Sequence, residues 1–363
     1  MQEFIFSGRS STRLLPEWIE QDAVLLSWPH MNTDWAPILG EVSTCFEKIA
    51  LTILRHGRLL VVCPDTTQLP DSLHAHIGSG LCVVEMPTND TWARDFGPLC
   101  LSSNGKTRQL VDFGFNAWGM KFAACYDNQI CRNLFSITDL WQQNVEKRGN
   151  LNFILEGGAI EIDGQGTLLT TASCIFESNR NPGLSREAIL NTMAEELGAK
   201  RIHILEHGKL DGDDTDGHID TLVRLCNDHT IAYVSAPEDN RDEHYQALKE
   251  MERELEPLAS MGYELHPLPM AKATYNDEGD RLPATYANFL IFNSVVLYPT
   301  YATETDLLAK KALQDCFPNK ELIGIDCRAL IKQHGSLHCV TMQIPAGVLR
   351  KDLPALLRIS DRV

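Results

Sequence analysis

Residues 154–205 read ILEGGAIEIDGQGTLLTTASCIFESNRNPGLSREAILNTMAEELGAKRIHIL, and the order of patterns within them decides the fold class. The apolar, β-branched run 167–171 predicts a short strand. Residues 186–197 carry a helical pattern, with Ser185 placed as N-cap and Gly198 just past the end. The run 202–205 returns to a strand. Strands alternating with helices mean an α/β chain. The same alternation extends in both directions. Strand-like runs recur at 23–27, 59–63, 81–85, 154–155, 230–234, 289–292, 295–297 and 340–344, and helical patterns at 38–55, 128–141, 242–261, 302–316 and 328–332. No low-complexity tract or Pro/Gly/Ser-rich linker interrupts them, so residues 1–363 read as a single domain.

A longer period overlies this alternation. Asp95 and Glu156 stand 61 residues apart, Glu156 and His218 stand 62 apart, and Cys339 lies 121 beyond, close to twice that spacing. Midway across the long interval is a polar, aromatic patch, Asp280-Arg281-Leu282-Pro283-Ala284-Thr285-Tyr286-Ala287-Asn288. About one period before Asp95 comes Trp28-Pro29-His30. The spacing predicts about five structural units, each sending one loop to a shared axis.

The 363 residues are 44% hydrophobic and 22% charged, an ordinary globular balance. The formal net charge of −17 argues against a nucleic-acid partner, which requires a basic face. It would attract a small cation, although plain solubility accounts for the same charge. No run of about 18 apolar residues predicts a membrane span. Residues 1–15 lack the apolar core of a secretion signal, so a cytoplasmic location is expected. The eleven cysteines include no CxxC pair and read as reduced, mostly buried thiols. Only local context can single one out.

Four clusters carry chemistry. In Asn89-Asp90-Thr91-Trp92-Ala93-Arg94-Asp95-Phe96-Gly97-Pro98, two carboxylates and an indole suit capture of a flat cation, by paired N–H bonds and cation–π attraction. The simpler reading is an Arg94–Asp90 salt bridge inside a loop. In Leu155-Glu156-Gly157-Gly158-Ala159, a Glu behind a strand is costly unless something basic meets it; a solvated Glu in a bulge is the alternative. Gly212-Asp213-Asp214-Thr215-Asp216-Gly217-His218-Ile219-Asp220 has the acidity of a calcium loop, but with Gly217 in the sixth position the first and twelfth fall on Gly212 and Val223. Zinc lacks a convergent ligand set here. On a strand, His218 and Asp220 would share one face. In His334-Gly335-Ser336-Leu337-His338-Cys339, Cys339 opens a strand-like run behind a turn, where a thiol can face a pocket. With strand geometry beginning there, His338 points away and His218 is the better proton-transfer partner; a buried core cysteine is the plain alternative.

These clusters, with Leu15-Pro16-Glu17-Trp18, Trp28-Pro29-His30 and Asn179-Arg180-Asn181-Pro182, together resemble the agmatine deiminases. These lie within the guanidine-modifying superfamily that includes arginine deiminases and bacterial peptidylarginine deiminases. The matching segments run in family order from near residue 15 to near 345. The resemblance implies a five-bladed, pseudo-fivefold α/β propeller of repeated ββαβ-type units with an axial active site. It implies hydrolysis of a guanidinium, with agmatine the leading substrate and arginine, peptidyl-arginine or amidino transfer the alternatives; the non-enzyme alternative is a cation-binding protein on the same scaffold, which would need no thiol. No metal and no cofactor are implied, and homo-oligomers are common. Residue by residue, Cys339 matches the family nucleophile, His218 the general acid/base and Glu156 the carboxylate that orients it. Asp95 and Asp220 match the guanidinium-binding aspartates, and Trp92 is similar to the indole lining that pocket. Ser336, Asp216 and Phe96 depart from the family pattern, at positions outside the chemical groups.

Overall fold

The computed structural model describes residues 1–6, 11–103 and 105–359. It is a mixed α/β fold whose chain packs into two compact units, each built from two stretches. One comprises Met1–Trp18 and Gly158–His338; the other comprises Ile19–Gly157 and Cys339–Val363.

Within the second unit, a five-stranded sheet runs in the order Met342–Pro345, Gln21–Ser27, Arg58–Cys63, Leu81–Glu85, Leu356–Arg358. The three central strands are parallel, and Met342–Pro345 is antiparallel to Gln21–Ser27. Ala23 to Leu26 and Leu59 to Cys63 are wholly buried, as expected for parallel strands covered on both faces. Helix Leu39–His56 connects the first two parallel strands and buries Val42, Phe46, Ile49, Ala50 and Ile53, a stripe at helical spacing. A second sheet contains Leu99–Ser103, Arg108–Gly114 and Val145–Ile154.

The first unit holds three sheets. In the order given, they are Gln2–Ile5, Arg201–Leu205, Thr167–Thr171, Glu161–Ile162; then Val223–Asn227, Thr230–Val234, Glu264–Leu268; then Leu290–Phe292, Val295–Thr300, Glu321–Asp326. Helix Arg186–Leu197 lies where its pattern predicts. Ser185 accepts the amide of Ala188 at 3.1 Å, and Gly198 ends the helix at φ 65°. A Cβ on Gly198 would stand 2.0 Å from the Thr12 carbonyl oxygen, so both space and conformation demand glycine.

One pairing scheme recurs in all five sheets: an antiparallel strand pair, a helical segment, then a strand parallel to the second. It joins 99–103, 108–114 and 145–154; 161–162, 167–171 and 201–205; 223–227, 230–234 and 264–268; 290–292, 295–300 and 321–326. In the remaining sheet the first strand is supplied late in the chain, as 342–345 against 21–27, followed by 58–63. The long period in the sequence is this module. Asp95, Glu156, Asp220, Asn288 and Cys339 each lie a few residues before the first strand of a module. Trp28-Pro29-His30 does not occupy that position, because it follows the second strand of its module.

Several expected helices are shorter than their patterns. Residues 128–141 resolve into 3₁₀ turns Asp127–Gln129 and Thr138–Leu140 around helix Ile130–Ser136, with Ile137 extended between them. The pattern 328–332 is one 3₁₀ turn, Leu330–Gln333. Among the described residues, no helix is long and apolar enough to cross a membrane.

Candidate active site

In the second unit, Asp95 sits not on a loop but on a single helical turn, Ala93–Phe96. Its carboxylate is buried and accepts the indole N–H of Trp118 at 2.9 Å. Trp92, just before this turn, is buried and tilted against Trp35 with ring centroids 5.6 Å apart. The turn is tied to the nucleophile candidate through the backbone, since the Arg94 amide donates to the Cys339 carbonyl at 3.1 Å. The Arg94 guanidinium donates to Gln343, three residues beyond the Cys339–Val340 peptide. Arg94 is thus committed to the strand after Cys339.

Glu156 is 1% exposed. A Cβ on the adjacent Gly157 would lie 2.2 Å from the Arg94 carbonyl oxygen and 3.2 Å from Met342 Cε. A Cβ on Gly97 would lie 2.7 Å from Met342 Cγ. Asp95, Trp92, Glu156 and Cys339 are therefore carried by segments that meet around Arg94 and Met342, with glycines where backbones approach closely. Cys339 lies in a turn rather than at the start of a strand, because strand pairing begins only at Met342. Burial does not distinguish it: Cys339 is buried, and so is every other cysteine except Cys125. Its backbone partner and turn position do.

Asp90 has backbone partners of its own. Its Oδ1 caps the Thr91 amide at 2.7 Å, and its carbonyl accepts the Ser27 hydroxyl at 2.6 Å. Burial pushes its carboxyl up to about 6, with Asp34 adding to the rise. Asp127, which accepts the Asn89 amide at 2.7 Å, is pushed up to about 8 by burial, with Asp90 contributing.

In the first unit, the acidic loop is closed by its own hydrogen bonds. Asp213 accepts the amides of Thr215 and Gly217 at 2.8 and 2.6 Å, and the His218 amide donates to the Thr215 hydroxyl at 2.9 Å. Asp216, in the left-handed region at φ 68°, pairs with buried Arg180 at 2.9 Å, and Arg180 also donates to the Thr215 carbonyl at 2.8 Å. His218 and Asp220 are not on a strand, contrary to expectation. His218 precedes the 3₁₀ turn Ile219–Thr221 that contains Asp220, because the Thr221 hydroxyl and amide both return to the His218 carbonyl.

Asp220 is fully buried, with Oδ2 2.7 Å from His338 Nδ1. Its Oδ1 has no hydrogen-bond partner among the described residues. Burial alone would raise its carboxyl. The hydrogen bond from His338 and the charges of His338, His218 and Arg224 outweigh that and hold it below the ordinary value. His338 Nε2 faces Glu17 at 2.8 Å and Arg224 Nη2 at 3.0 Å. Arg224, wholly buried, also pairs with Glu17 at 2.6 Å and with Glu161, and stacks 4.5 Å over Phe289. Burial opposes its charge, but Glu161, Glu17 and Asp220 hold its pKa above the ordinary value.

Sequence reasoning missed Trp118, His338, Glu17, Arg224 and Asn288 as site components. Glu17 and Asn288 stood in segments already singled out; Arg224 and Trp118 carried no local signal. Elsewhere in the first unit, Asp211, Glu243 and His244 bring potential metal ligands together. Glu243 already pairs with Arg281 at 3.0 Å, and His244 Nε2 accepts the Asp211 amide at 2.7 Å.

Comparison with known proteins places this geometry in a family. The model of the Porphyromonas-type peptidyl-arginine deiminase family matches residues 13–345. A protein of Shewanella frigidimarina, provisionally named an agmatine deiminase, is 33% identical over 353 residues, covering 91% of this chain and 93% of its own. A Porphyromonas gingivalis structure, provisionally named an arginine deiminase, is 55% identical with a TM-score of 0.86, over 93% of this chain and 100% of that one. A cysteine-to-serine variant of C. jejuni agmatine deiminase with substrate bound is 36% identical with a TM-score of 0.84, over 92% and 96%. An amidinotransferase of Microseira wollei, 13% identical with a TM-score of 0.54, shares the fold alone. The chain belongs to the Porphyromonas-type peptidyl-arginine deiminase family, alongside the agmatine deiminases, and is a hydrolase acting on a guanidino C–N bond.

Proposed function

We propose that the chain deiminates agmatine to N-carbamoylputrescine and ammonia through a covalent amidino-cysteine on Cys339. The observation that supports this most directly is Asp220, a buried carboxylate held ionised by His338, whose other oxygen has no hydrogen-bond partner among the described residues. A carboxylate so placed suits the N–H groups of a guanidinium. Asp95, a buried carboxylate that accepts the Trp118 indole N–H, is the second guanidinium-binding acid, and Trp92 lines the same ligand.

The two aspartates orient the planar cation so that its central carbon faces the Cys339 sulfur, a near-attack arrangement. Bound positive charge favours the thiolate, offsetting the nearby carboxylates. The thiolate adds to the carbon; His218, oriented by Glu156, gives a proton to one terminal nitrogen; the C–N bond breaks and ammonia leaves. A cationic amidino-thioether remains. Neutral His218 then takes a proton from water, whose oxygen adds to the same carbon. The C–S bond breaks, restoring the thiolate and releasing the ureido product. None of these steps requires a metal or a cofactor. On this reading residues 1–363 form one catalytic domain, its five ββαβ modules are blades of a pseudo-fivefold propeller, and the protein works in the cytoplasm as a homo-oligomer.

Free arginine is the second reading, favoured by the name of the P. gingivalis structure at 55% identity. Ammonia release from agmatine, arginine and a peptidyl-arginine, measured side by side, separates the substrates. Acid-quenched enzyme should carry the amidino adduct on Cys339, and Cys339→Ser should bind substrate without turnover. Turnover by that variant, or an adduct on another cysteine, overturns the mechanism.

A further inference from the structure

Within the first unit, the least expected group is His338. Its Nδ1 meets Asp220 Oδ2 at 2.7 Å, while its Nε2 faces Glu17 and Arg224 at 2.8 and 3.0 Å. Asn288 clamps both ends of this contact: its Oδ1 accepts the His338 amide at 2.8 Å, and its Nδ2 donates to the Asp220 carbonyl at 3.4 Å. An ionised carboxylate can only accept, so Nδ1 must carry the proton. Nε2 then either accepts from Arg224 or, protonated, donates to Glu17. Both states keep the donor on Asp220. Burying Asp220 and Arg224 together is costly unless their partners are fixed, and the Phe289 face and the carbonyl of Ala287, 3.0 Å from Arg224 Nη1, fix Arg224 further.

We propose that His338 is a positioning residue for substrate: it occupies Oδ2 of Asp220, so that Oδ1 takes the guanidinium, and Glu17 with Arg224 locks the imidazole in that orientation. The proposal rests on Asp220 being a guanidinium-binding carboxylate. It extends that reading to a second layer, in which the residue preceding the nucleophile works on the substrate-binding acid and not on the sulfur. The groups bearing on Asp220 are His338, His218 and Arg224, so removing His338 leaves two of the three in place and isolates its share.

The test compares wild-type protein with His338→Leu, which removes the donor, and His338→Asn, whose amide nitrogen stands near the place of Nδ1. Carboxyl carbon NMR, with Asp220 assigned by Asp220→Asn, reads the protonation of Asp220 directly. His338→Leu should raise its midpoint by about one unit or more and raise KM about ten- to hundredfold; His338→Asn should recover part of both. An Asp220 midpoint and KM unchanged in His338→Leu overturn the proposal. If that variant does not fold, Glu17→Gln should raise KM in the same direction with a smaller midpoint shift, and no change in either overturns the proposal equally. Wild-type protein inactive on every guanidinium overturns the proposed function instead, and the NMR comparison still decides the role of His338.

Discussion

The indole N–H of Trp118 reaches Asp95 Oδ2 over 2.9 Å from a backbone that is left-handed at four consecutive residues, with φ of 51°, 55°, 84° and 68° from Ala117 to Met120. Only one of the four is glycine. A left-handed turn costs an L-residue roughly 1–2 kcal/mol, and such strain persists where the surroundings dictate it. Here it aims one side chain at one carboxylate. Trp118→Phe keeps the ring and removes the donor. We expect KM for the guanidinium substrate to rise about tenfold or more, from the loss of a hydrogen bond to a charged group, with little change in Tm. Steady-state kinetics and thermal unfolding check it.

Gly157 lies where Glu156, Arg94 and Met342 come together. Gly157→Ala places a methyl 2.2 Å from the Arg94 carbonyl oxygen, a backbone atom that cannot rotate away. Overpacking of this kind costs about 1–3 kcal/mol. Arg94 also holds the Cys339 carbonyl, so turnover should fall further than stability. Urea unfolding and ammonia release, measured on one preparation, separate the two effects.

Arg180 is the buried brace of the loop that presents His218. Arg180→Met removes the guanidinium donors to Asp216 and to the Thr215 carbonyl, a loss of roughly 2–4 kcal/mol. We expect reduced kcat in the folded protein, because the loop geometry around His218 relaxes. Arg180→Lys restores charge but not the two-pronged contact, and should rescue stability more than rate.

Asp90 and Asp127 give stability a defined pH dependence. Their folded carboxyls are raised to about 6 and about 8 from 3.8, chiefly by burial. A raised carboxyl holds its proton more tightly in the folded chain than in the unfolded one. The folded state therefore binds more protons across the window from about 4 to about 8, and its stability falls as pH rises through it. Asp127→Asn should flatten that fall and leave stability below pH 4 nearly unchanged. Urea midpoints taken at intervals from pH 4 to 8 provide the check; an equally steep decline in the variant contradicts it.

The α/β class and the module period were legible because hydrophobic runs and polar clusters alternate at fixed spacing. Strand Val145–Ile154 escaped notice except at its end, since it is largely exposed and carries Glu146, Lys147, Arg148 and Asn150. An edge strand with little to bury leaves no apolar signature. Strand Arg108–Gly114 was missed for a related reason: Arg108 and Gln109 are polar and Asp112 breaks its apolar run, though the strand is mostly buried. The candidate residues were legible as motifs, but their local geometry was not. Assuming strand geometry from Cys339 turned His338 away from the site, whereas a turn there gives it to Asp220. Arg224 sits inside a strand and Trp118 in a segment without charge; only tertiary contacts reveal either.

The antiparallel partner of Gln21–Ser27 is Met342–Pro345. During synthesis, that strand must wait on the ribosome with one edge bare until residues 342–345 have emerged more than 300 residues later, an arrangement that slows folding and invites mispairing. The same late segment brings Cys339. A polypeptide terminated before residue 339 therefore lacks the edge cover and, on the proposed mechanism, the nucleophilic sulfur as well.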